Sequence, residues 1–168
     1  RVLFRSNATG HPEIVAEGLQ AGKVNYFLGN DARKWRAGNA LYESVLYRNI
    51  YCGVDMRFHG NNSQLEYDVI VHPGADPDDI QLQYKGIQGL AIAADGRLDI
   101  QLKNGHLFQK KPYVYQKIDG KRVEVAGRFK LQPARKGVFP YGFELAAYDT
   151  AHELVIDPIW VYSTYLGG

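Results

Sequence analysis

Three carboxylates in one loop are the residues of this sequence best suited to binding a metal ion. Asp76, Asp78 and Asp79 lie in the segment Gly74–Asp79, which also contains Pro77. Ca²⁺ takes several oxygen ligands at alternating loop positions, often beside a glycine at a sharp turn. The segment lacks the spaced D-x-D-x-D pattern, and Asp and Pro are also strong turn formers. We therefore expect a structural turn here, with a Ca²⁺ site in the same loop as the alternative and no other cofactor.

A second candidate site surrounds Trp35, which stands among the cationic residues Arg33, Lys34 and Arg36. Flat aromatic rings stack on sugar rings and other apolar faces, and cationic side chains form cation–π contacts with indoles. Because large aromatic side chains are usually buried in large part, we expect Trp35 to pack against the sheet predicted below. The alternative is a binding site for a surface glycan or protein, formed by Trp35, Arg33 and Arg36.

Two pairs of ionisable residues also have a spacing that is compatible with catalysis or with metal binding. Glu66 and Asp68 would project from one face of a strand, about 6.6 Å apart, within the ~5 to ~9.5 Å that separates the two carboxyls of a glycosidase. We expect them instead to be exposed charges on the solvated face of a sheet. His59 and His72 flank the two ends of a predicted hairpin, and we expect a solvated cross-strand pair rather than two metal ligands.

The sequence predicts no catalytic residue. Cys52 is the single cysteine, and we expect a small, half-buried side chain, since a reactive thiol needs an activating base or an electropositive setting. A Gly-rich phosphate loop, a nucleophile elbow and a triad order are all missing from the sequence. An enzyme would require a deep polar pocket with converging ionisable groups. We predict a domain that is not an enzyme.

Alternation of apolar and polar residues defines the elements that would position these side chains. Residues 54–59 and 65–71 alternate with period two around the polar tip Gly60–Ser63, which predicts an antiparallel hairpin. Further two-residue turn signals occur at Asp95–Gly96, Asn104–Gly105 and Asp119–Gly120. Short alternating runs with turns every ~8–12 residues are typical of a sandwich or barrel. We predict an all-β fold, an antiparallel β-sandwich built of consecutive hairpins, with little helix.

One segment favours helix. Asp31–Glu43 could form one or two helical turns, with Asp31 as the N-cap and Gly38 as the stop.

Composition limits the partners. The chain has 168 residues with 20 Lys and Arg against 18 Asp and Glu, a formal net charge of +2. Nucleic-acid binding requires a concentrated basic surface, so we expect no nucleic-acid partner. Because no window approaches 18 consecutive apolar residues, we also expect no membrane span.

Four segments together resemble a known family. They are KVNYFLGNDARKW (Lys23–Trp35), LEYDVIVHPGADPD (Leu65–Asp78), KPYVYQKIDGKRVEVAGRF (Lys111–Phe129) and LVIDPIWVYSTYLGG (Leu154–Gly168). They resemble an uncharacterised bacterial domain that precedes SBBP-type β-propeller repeats in large secreted or cell-surface proteins. The closing YSTYLGG, residues 162–168, resembles the first strand of such a repeat.

The resemblance implies an organisation and a role. Residues 7–157 would form the β-sandwich domain, with part of its N-terminal side missing, and residues 158–168 would begin the first propeller repeat. The opening RVLFRS, residues 1–6, resembles the translated end of a sequencing adapter and would be foreign to the fold. The implied role is a non-catalytic structural or adhesive module, extracellular or in the cell envelope, whose partners are the downstream repeats. A carbohydrate-binding module that accompanies a secreted hydrolase is the alternative.

Overall fold

The fold is all-β and antiparallel, as the alternation predicted. The structure is a computed structural model that describes residues 2–4, 8, 10–61, 64–158 and 160–161. Over these residues the strands are β1 (Val2–Phe4), β2 (Glu13–Tyr26), β3 (Arg36–Tyr51), β4 (Val54–Asn61), β5 (Gln64–Val71), β6 (Leu82–Lys85), β7 (Gly89–Ile92), β8 (Leu98–Leu102), β9 (Gly105–Gln109), β10 (Tyr113–Ile118), β11 (Lys121–Val125), β12 (Gly127–Leu131), β13 (Val138–Leu145), β14 (Leu154–Asp157) and β15 (Trp160–Val161).

The strands form three sheets. The largest has seven strands in the order β11-β10-β14-β5-β4-β3-β2, and two four-stranded sheets have the orders β1-β6-β13-β12 and β15-β9-β8-β7. The predicted hairpin around residues 60–63 is confirmed, because β4 pairs with β5 from Val54↔Val71 to Asn61↔Gln64. The three two-residue turn signals are confirmed as well, since they join β7 to β8, β8 to β9 and β10 to β11.

The core lies between the seven-stranded sheet and the two smaller ones. Alternate residues of β4, β5, β10 and β14 point inward, as the period of two requires, and meet large side chains from β6, β8, β12 and β13. The sheets approach closely at Gly127, where an added Cβ would lie 2.6 Å from Val114 Cγ2 on the seven-stranded sheet. The side chains buried most deeply include Tyr51, Met56, Leu82, Leu98, Phe129, Tyr141, Leu154 and Ile156.

A buried polar network joins the three sheets. Gln109 on β9 donates from Nε2 to the Tyr67 hydroxyl on β5 at 2.9 Å, and that hydroxyl lies 3.4 Å from the Tyr141 hydroxyl on β13. Burial raises the pKa of Tyr67 to about 12, so the phenol stays neutral. Buried polar groups are usually hydrogen-bonded, and these contacts link one strand from each of the three sheets.

The helix predicted over Asp31–Glu43 is largely wrong. Asp31 does cap a helical turn, but it is a single 3₁₀ turn, Ala32–Lys34, and Trp35 returns to extended backbone with φ −74° and ψ 140°. From Arg36 onward the chain is strand β3. Gly38 does not stop a helix there; it lies within the strand at φ +70°.

The two ends of the chain were predicted to be foreign or to belong to a next unit. Val2–Phe4 forms β1 and pairs with β6, and Trp160–Val161 forms β15 and pairs with β9. Residues 1, 5–6, 159 and 162–168 lie outside the described residues. The adapter origin of residues 1–6 and the propeller assignment of residues 158–168 stay predictions. Across the described ranges, no helix has the length and apolar character needed to cross a membrane.

Candidate recognition surface and the carboxylates of the sheet face

The most prominent surface feature is a long hairpin that leaves the sheet. Strand β3 pairs with β4 only from Ser44 to Tyr51, whereas its pairing with β2 continues to Arg36. Residues 19–42, from the pair Leu19↔Tyr42 outward, therefore have no second neighbour in the sheet. We call these residues the arm and call the described residues from 44 onward the body.

The arm exposes apolar side chains. Of the twelve large hydrophobic residues that are exposed in the described part of the chain, seven lie in the arm. They are Leu19, Tyr26, Phe27, Leu28, Trp35, Leu41 and Tyr42. No arm residue is buried, and none belongs to the hydrophobic core cluster. Exposed apolar groups gathered in one place mark interaction sites, whereas scattered ones need no explanation.

Two asparagines hold the arm together where its ladder is irregular. The register of β2 and β3 shifts between Leu19 and Lys23 and again between Val24 and Tyr26. Asn25 Oδ1 accepts from the Gly38 backbone N–H at 2.7 Å, and Asn39 Nδ2 donates to the Val24 carbonyl at 3.1 Å. β-bulges increase strand twist and protect sheet edges, so these bonds stabilise the arm as a twisted hairpin.

The tip of the arm is internally bonded. Asp31 accepts from the Arg33 backbone N–H at 3.1 Å and forms a two-pronged ion pair with the Arg33 guanidinium at 2.9 and 3.0 Å. The Arg33 hydrogen bonds hold the pKa of Asp31 below its usual value. Arg36 Nη1 lies near the backbone carbonyls of Arg33 and Trp35. The segment therefore folds as a capped turn.

Trp35 does not pack against the sheet, contrary to expectation. It lies at the tip with 42% of its surface exposed, and its indole N–H donates to the Gly29 carbonyl at 3.1 Å. Its ring meets Phe27 edge to face, with centroids 5.3 Å apart. The partial exposure belongs to the alternative interpretation, but the cation–π contacts that go with that alternative are found elsewhere: over the described ranges they join Arg97 to Phe108 and Arg122 to Tyr115.

The aspartates of the other candidate site form a turn. Asp76 caps a 3₁₀ turn, Pro77–Asp79, and its carboxylate accepts from the Asp78 backbone N–H at 2.9 Å. Asp78 lies 3.9 Å from Lys130 Nζ. These contacts favour the structural turn. Among the described residues, no three His, Cys, Asp or Glu side chains come together as a group that could hold a metal ion.

Glu66 and Asp68 are not the exposed charges that were expected. They lie on the outer face of the seven-stranded sheet, yet Glu66 is only 7% exposed and the Asp68 side chain only 17%. Asp68 lies 3.5 Å from His59 Nε2. The register that pairs Ile156 with Val69 brings Asp157 to the level of Asp68. We call Glu66, Asp68 and Asp157 the outer-face carboxylates.

The environment of Asp157 disfavours its charge. Burial, together with the charges of Asp68 and Glu66, raises the pKa of Asp157 to about 6. Its Oδ1 is buried and accepts no hydrogen bond from the described residues. Burial also raises the pKa of Asp68, although His59 opposes this rise. Alternation alone could not reveal this cluster, because it depends on strands β5 and β14, which are distant in sequence.

His59 and His72 do not meet across the hairpin. His59 lies opposite Glu66, near the closed end of the hairpin, whereas His72 follows β5 at the open end. His72 Nε2 lies 2.9 Å from Asp55, whose other oxygen accepts from the Asn49 backbone N–H at 2.7 Å. A two-strand hairpin of eight residues per strand separates its ends by about 25 Å, so the two histidines have separate partners.

A groove of about 390 Å³ lies beside the open end of the β4–β5 hairpin, next to Asp55 and His72. Its cationic groups face carboxylates: Arg48 lies 3.4 Å from Glu13, and Arg57 lies 2.9 Å from Glu17. The hydrogen bond from Arg57 lowers the pKa of Glu17. Cys52, in the turn nearby, is exposed rather than half-buried as expected. The groove holds paired charges and no assembled nucleophile and base.

Comparison with known proteins gives one match. A protein-family model described as a domain of unknown function (DUF7948) matches residues 3–159. No curated protein and no solved structure matches the chain.

Proposed function

The chain belongs to the family of the domain of unknown function DUF7948, and we propose that it is a non-catalytic recognition and adhesion module whose binding element is the arm. The observation that carries this proposal is the concentration of exposed apolar side chains on residues 19–42, which contribute nothing to the core. Forming a hairpin that buries no apolar surface has a cost in free energy, since an isolated two-stranded hairpin is only marginally stable in water. Contact with a partner surface would offset that cost.

The context proposed for the module is a secreted or cell-surface bacterial protein in which it stands ahead of β-propeller repeats. The resemblance of residues 162–168 to the first strand of such a repeat supports this context. A chain extended by whole repeats is expected to remain in the supernatant at concentrations where the 168-residue chain sediments. Equal solubility of the two would count against the propeller context and would leave the arm's role open to its own test.

The arm's role is tested by retention on solid surfaces. The 168-residue chain is mixed with bacterial cell-wall sacculi, insoluble cellulose, chitin and phospholipid vesicles, and the bound fraction is measured. We expect at least one surface to retain it and the variant Phe27→Ser/Trp35→Ala to lose at least about tenfold in affinity. The control variant Val123→Ser/Leu131→Ser removes two exposed apolar side chains from the body. A loss of retention in the control equal to that in the tip variant would refute the proposal.

Carbohydrate binding is the second candidate, and the geometry of Trp35 favours it specifically. The bond to Gly29 and the edge-to-face contact with Phe27 fix an exposed indole, and a fixed flat ring is what stacks on a sugar. Glycan-array binding that disappears in Trp35→Ala, with an unchanged circular dichroism spectrum, would support this candidate. Unchanged glycan binding in Trp35→Ala would exclude it.

A further inference from the structure

The arm carries a net positive charge. Residues 23–36 contain Lys23, Arg33, Lys34 and Arg36 against the single carboxylate of Asp31, which gives the segment a net charge of +3. The whole chain has a net charge of +2, so the remaining residues together are slightly negative. The part of the molecule that protrudes is therefore cationic, whereas the rest of the chain is close to neutral.

The same segment carries four of the twelve exposed large hydrophobic side chains of the described residues. Phe27 is 60% exposed and Leu28 is 68% exposed, with Tyr26 and Trp35 beside them. Phe and Leu enter the boundary between headgroups and acyl chains, Trp and Tyr favour the interface, and Lys and Arg attract anionic headgroups. The tip combines apolar, aromatic and cationic residues within residues 26–36.

Three N–H groups of the tip are hydrogen-bonded within it, which lowers the cost of moving them out of water. The backbone N–H groups of Lys34 and Trp35 donate to the carbonyls of Asp31 and Ala32 at 2.9 and 3.1 Å. The indole N–H donates to the Gly29 carbonyl. An unpaired N–H group would oppose transfer toward the bilayer, and these three are paired.

We propose that the tip of the arm, residues 26–36, docks on the surface of an anionic phospholipid bilayer. The proposal deepens the recognition role of the arm and rests on it. Asn25, Asp31 and Asn39 each make hydrogen bonds within the arm, whereas the cationic side chains of Lys34 and Arg36 are exposed beside the apolar ones. The interior of a protein interface is depleted of lysine, whereas lysine next to an anionic bilayer is favourable.

The experiment is cosedimentation with two kinds of vesicle, phosphatidylcholine alone and phosphatidylcholine with about one-third phosphatidylglycerol. We expect the chain to sediment with the anionic vesicles and to dissociate as salt is raised, because screening weakens the attraction. Two variants, Phe27→Ser/Leu28→Ser and Lys34→Glu/Arg36→Glu, are each expected to lose about tenfold or more in affinity. The controls Val123→Ser/Leu131→Ser and Lys103→Glu/Lys121→Glu make the same changes on the body.

Fluorescence gives a second readout. The chain has two tryptophans, so Trp160→Phe leaves Trp35 as the sole reporter. Its emission is expected to shift to shorter wavelength when anionic vesicles are added and to stay unchanged with phosphatidylcholine alone.

The possible results distinguish docking on an anionic bilayer from the more general recognition role of the arm, on which the inference rests. Failure to bind anionic vesicles, equal binding to both vesicles, or equal losses in the body controls would overturn the lipid inference. Retention on sacculi, cellulose or chitin that depends on Phe27 and Trp35 would then keep the recognition role and assign it another partner. Loss of tip dependence on all surfaces would refute both.

Discussion

The arm and the body are made of the same kind of element, the antiparallel hairpin, and differ in what their side chains contact. In the body, hairpin β4–β5 places Val54, Met56 and Val69 at 0% exposure beneath the smaller sheets. In the arm, the side chains of residues 19–42 face solvent on both sides of the ribbon. The body is stabilised by burial, whereas the arm is stabilised by its own hydrogen bonds.

Stability and binding therefore depend on different regions of the chain. Burial of apolar surface contributes about 25 cal/mol per Å², so changes in the body should alter the free energy of unfolding. Changes in the arm should leave that free energy almost unaltered and should alter binding instead.

The strongest contrast is between two phenylalanines. Phe129 is 2% exposed in the core and Phe27 is 60% exposed in the arm. Phe129→Ala is expected to cost about 3–5 kcal/mol in the free energy of unfolding, from lost burial and the cavity left behind. Phe27→Ala should cost no more than about 0.5 kcal/mol. Urea denaturation followed by circular dichroism measures both, and comparable losses would break the distinction between the regions.

The buried amide of Gln116 on β10 anchors the loop that precedes β14. Gln116 donates from Nε2 to the carbonyls of Asp149 and His152 and accepts from the Asp149 backbone N–H at 3.0 Å. Gln116→Met keeps the size of the side chain and leaves those backbone groups unpaired, so we expect a loss of about 1–3 kcal/mol. The matched control Gln88→Met, at an exposed position, should change stability by less than about 0.5 kcal/mol.

The outer-face carboxylates make the stability of the body depend on pH. The raised pKa of Asp157, about 6, means that the folded chain holds this proton more tightly than the unfolded chain, whose pKa is about 3.9. Stability is therefore lost as pH rises from about 4 through about 6. Asp157→Asn should stabilise the body by about 1–2 kcal/mol at pH 8, after allowance for partial exposure, and should have little effect near pH 4.

Thermal unfolding of the parent chain and of the Asp157→Asn variant, measured from pH 4 to pH 8, tests this prediction. An Asn variant that is equally stabilised at pH 4 and pH 8 would show that burial of the charge is not the cause. Asp31→Asn in the arm serves as the control, because Arg33 lowers the pKa of Asp31 and no gain at pH 8 is expected from it.

The smallest expected effect compares two capping aspartates. Asp76 caps the 3₁₀ turn of the body and Asp31 caps that of the arm. Asp76→Ala is expected to cost about 1 kcal/mol in unfolding free energy, whereas Asp31→Ala should instead speed hydrogen exchange at the tip. Calorimetry with Ca²⁺ on the same Asp76 variant tests the calcium alternative. Heat of binding in the parent chain that is absent from the variant would support a Ca²⁺ site.

The sequence was informative where one face of a strand is buried. Residues 54–59, 65–71 and 98–102 alternate because alternate positions face the core, and Asp–Gly and Asn–Gly pairs encode tight turns. The strands and turns after residue 54 could therefore be predicted. The arm could not, because neither of its faces is buried and no alternation is imposed on Leu19–Tyr26 or Arg36–Tyr42.

The candidate sites also differ in how far local sequence could predict them. The local signal for Asp76 as a turn former was sufficient, since an aspartate capping its own turn needs only neighbouring residues. The burial of Glu66 and the position of Trp35 depend on how strands distant in sequence are arranged. The pair Ile156↔Val69 and the length of the arm beyond Ser44 are set by sheet topology, which periodicity does not encode.

Removal of the arm is the most direct test that the body is a scaffold and the arm its binding element. Residues 20–41 are replaced by Asn-Gly, a two-residue turn suited to joining Leu19 to Tyr42. The melting temperature and the retention on sacculi, cellulose, chitin and vesicles are then measured on the same preparation. We predict a melting temperature within about 4 °C of the parent chain and loss of retention. A shortened chain that unfolds, or one that is retained as well as the parent, would contradict the division between arm and body.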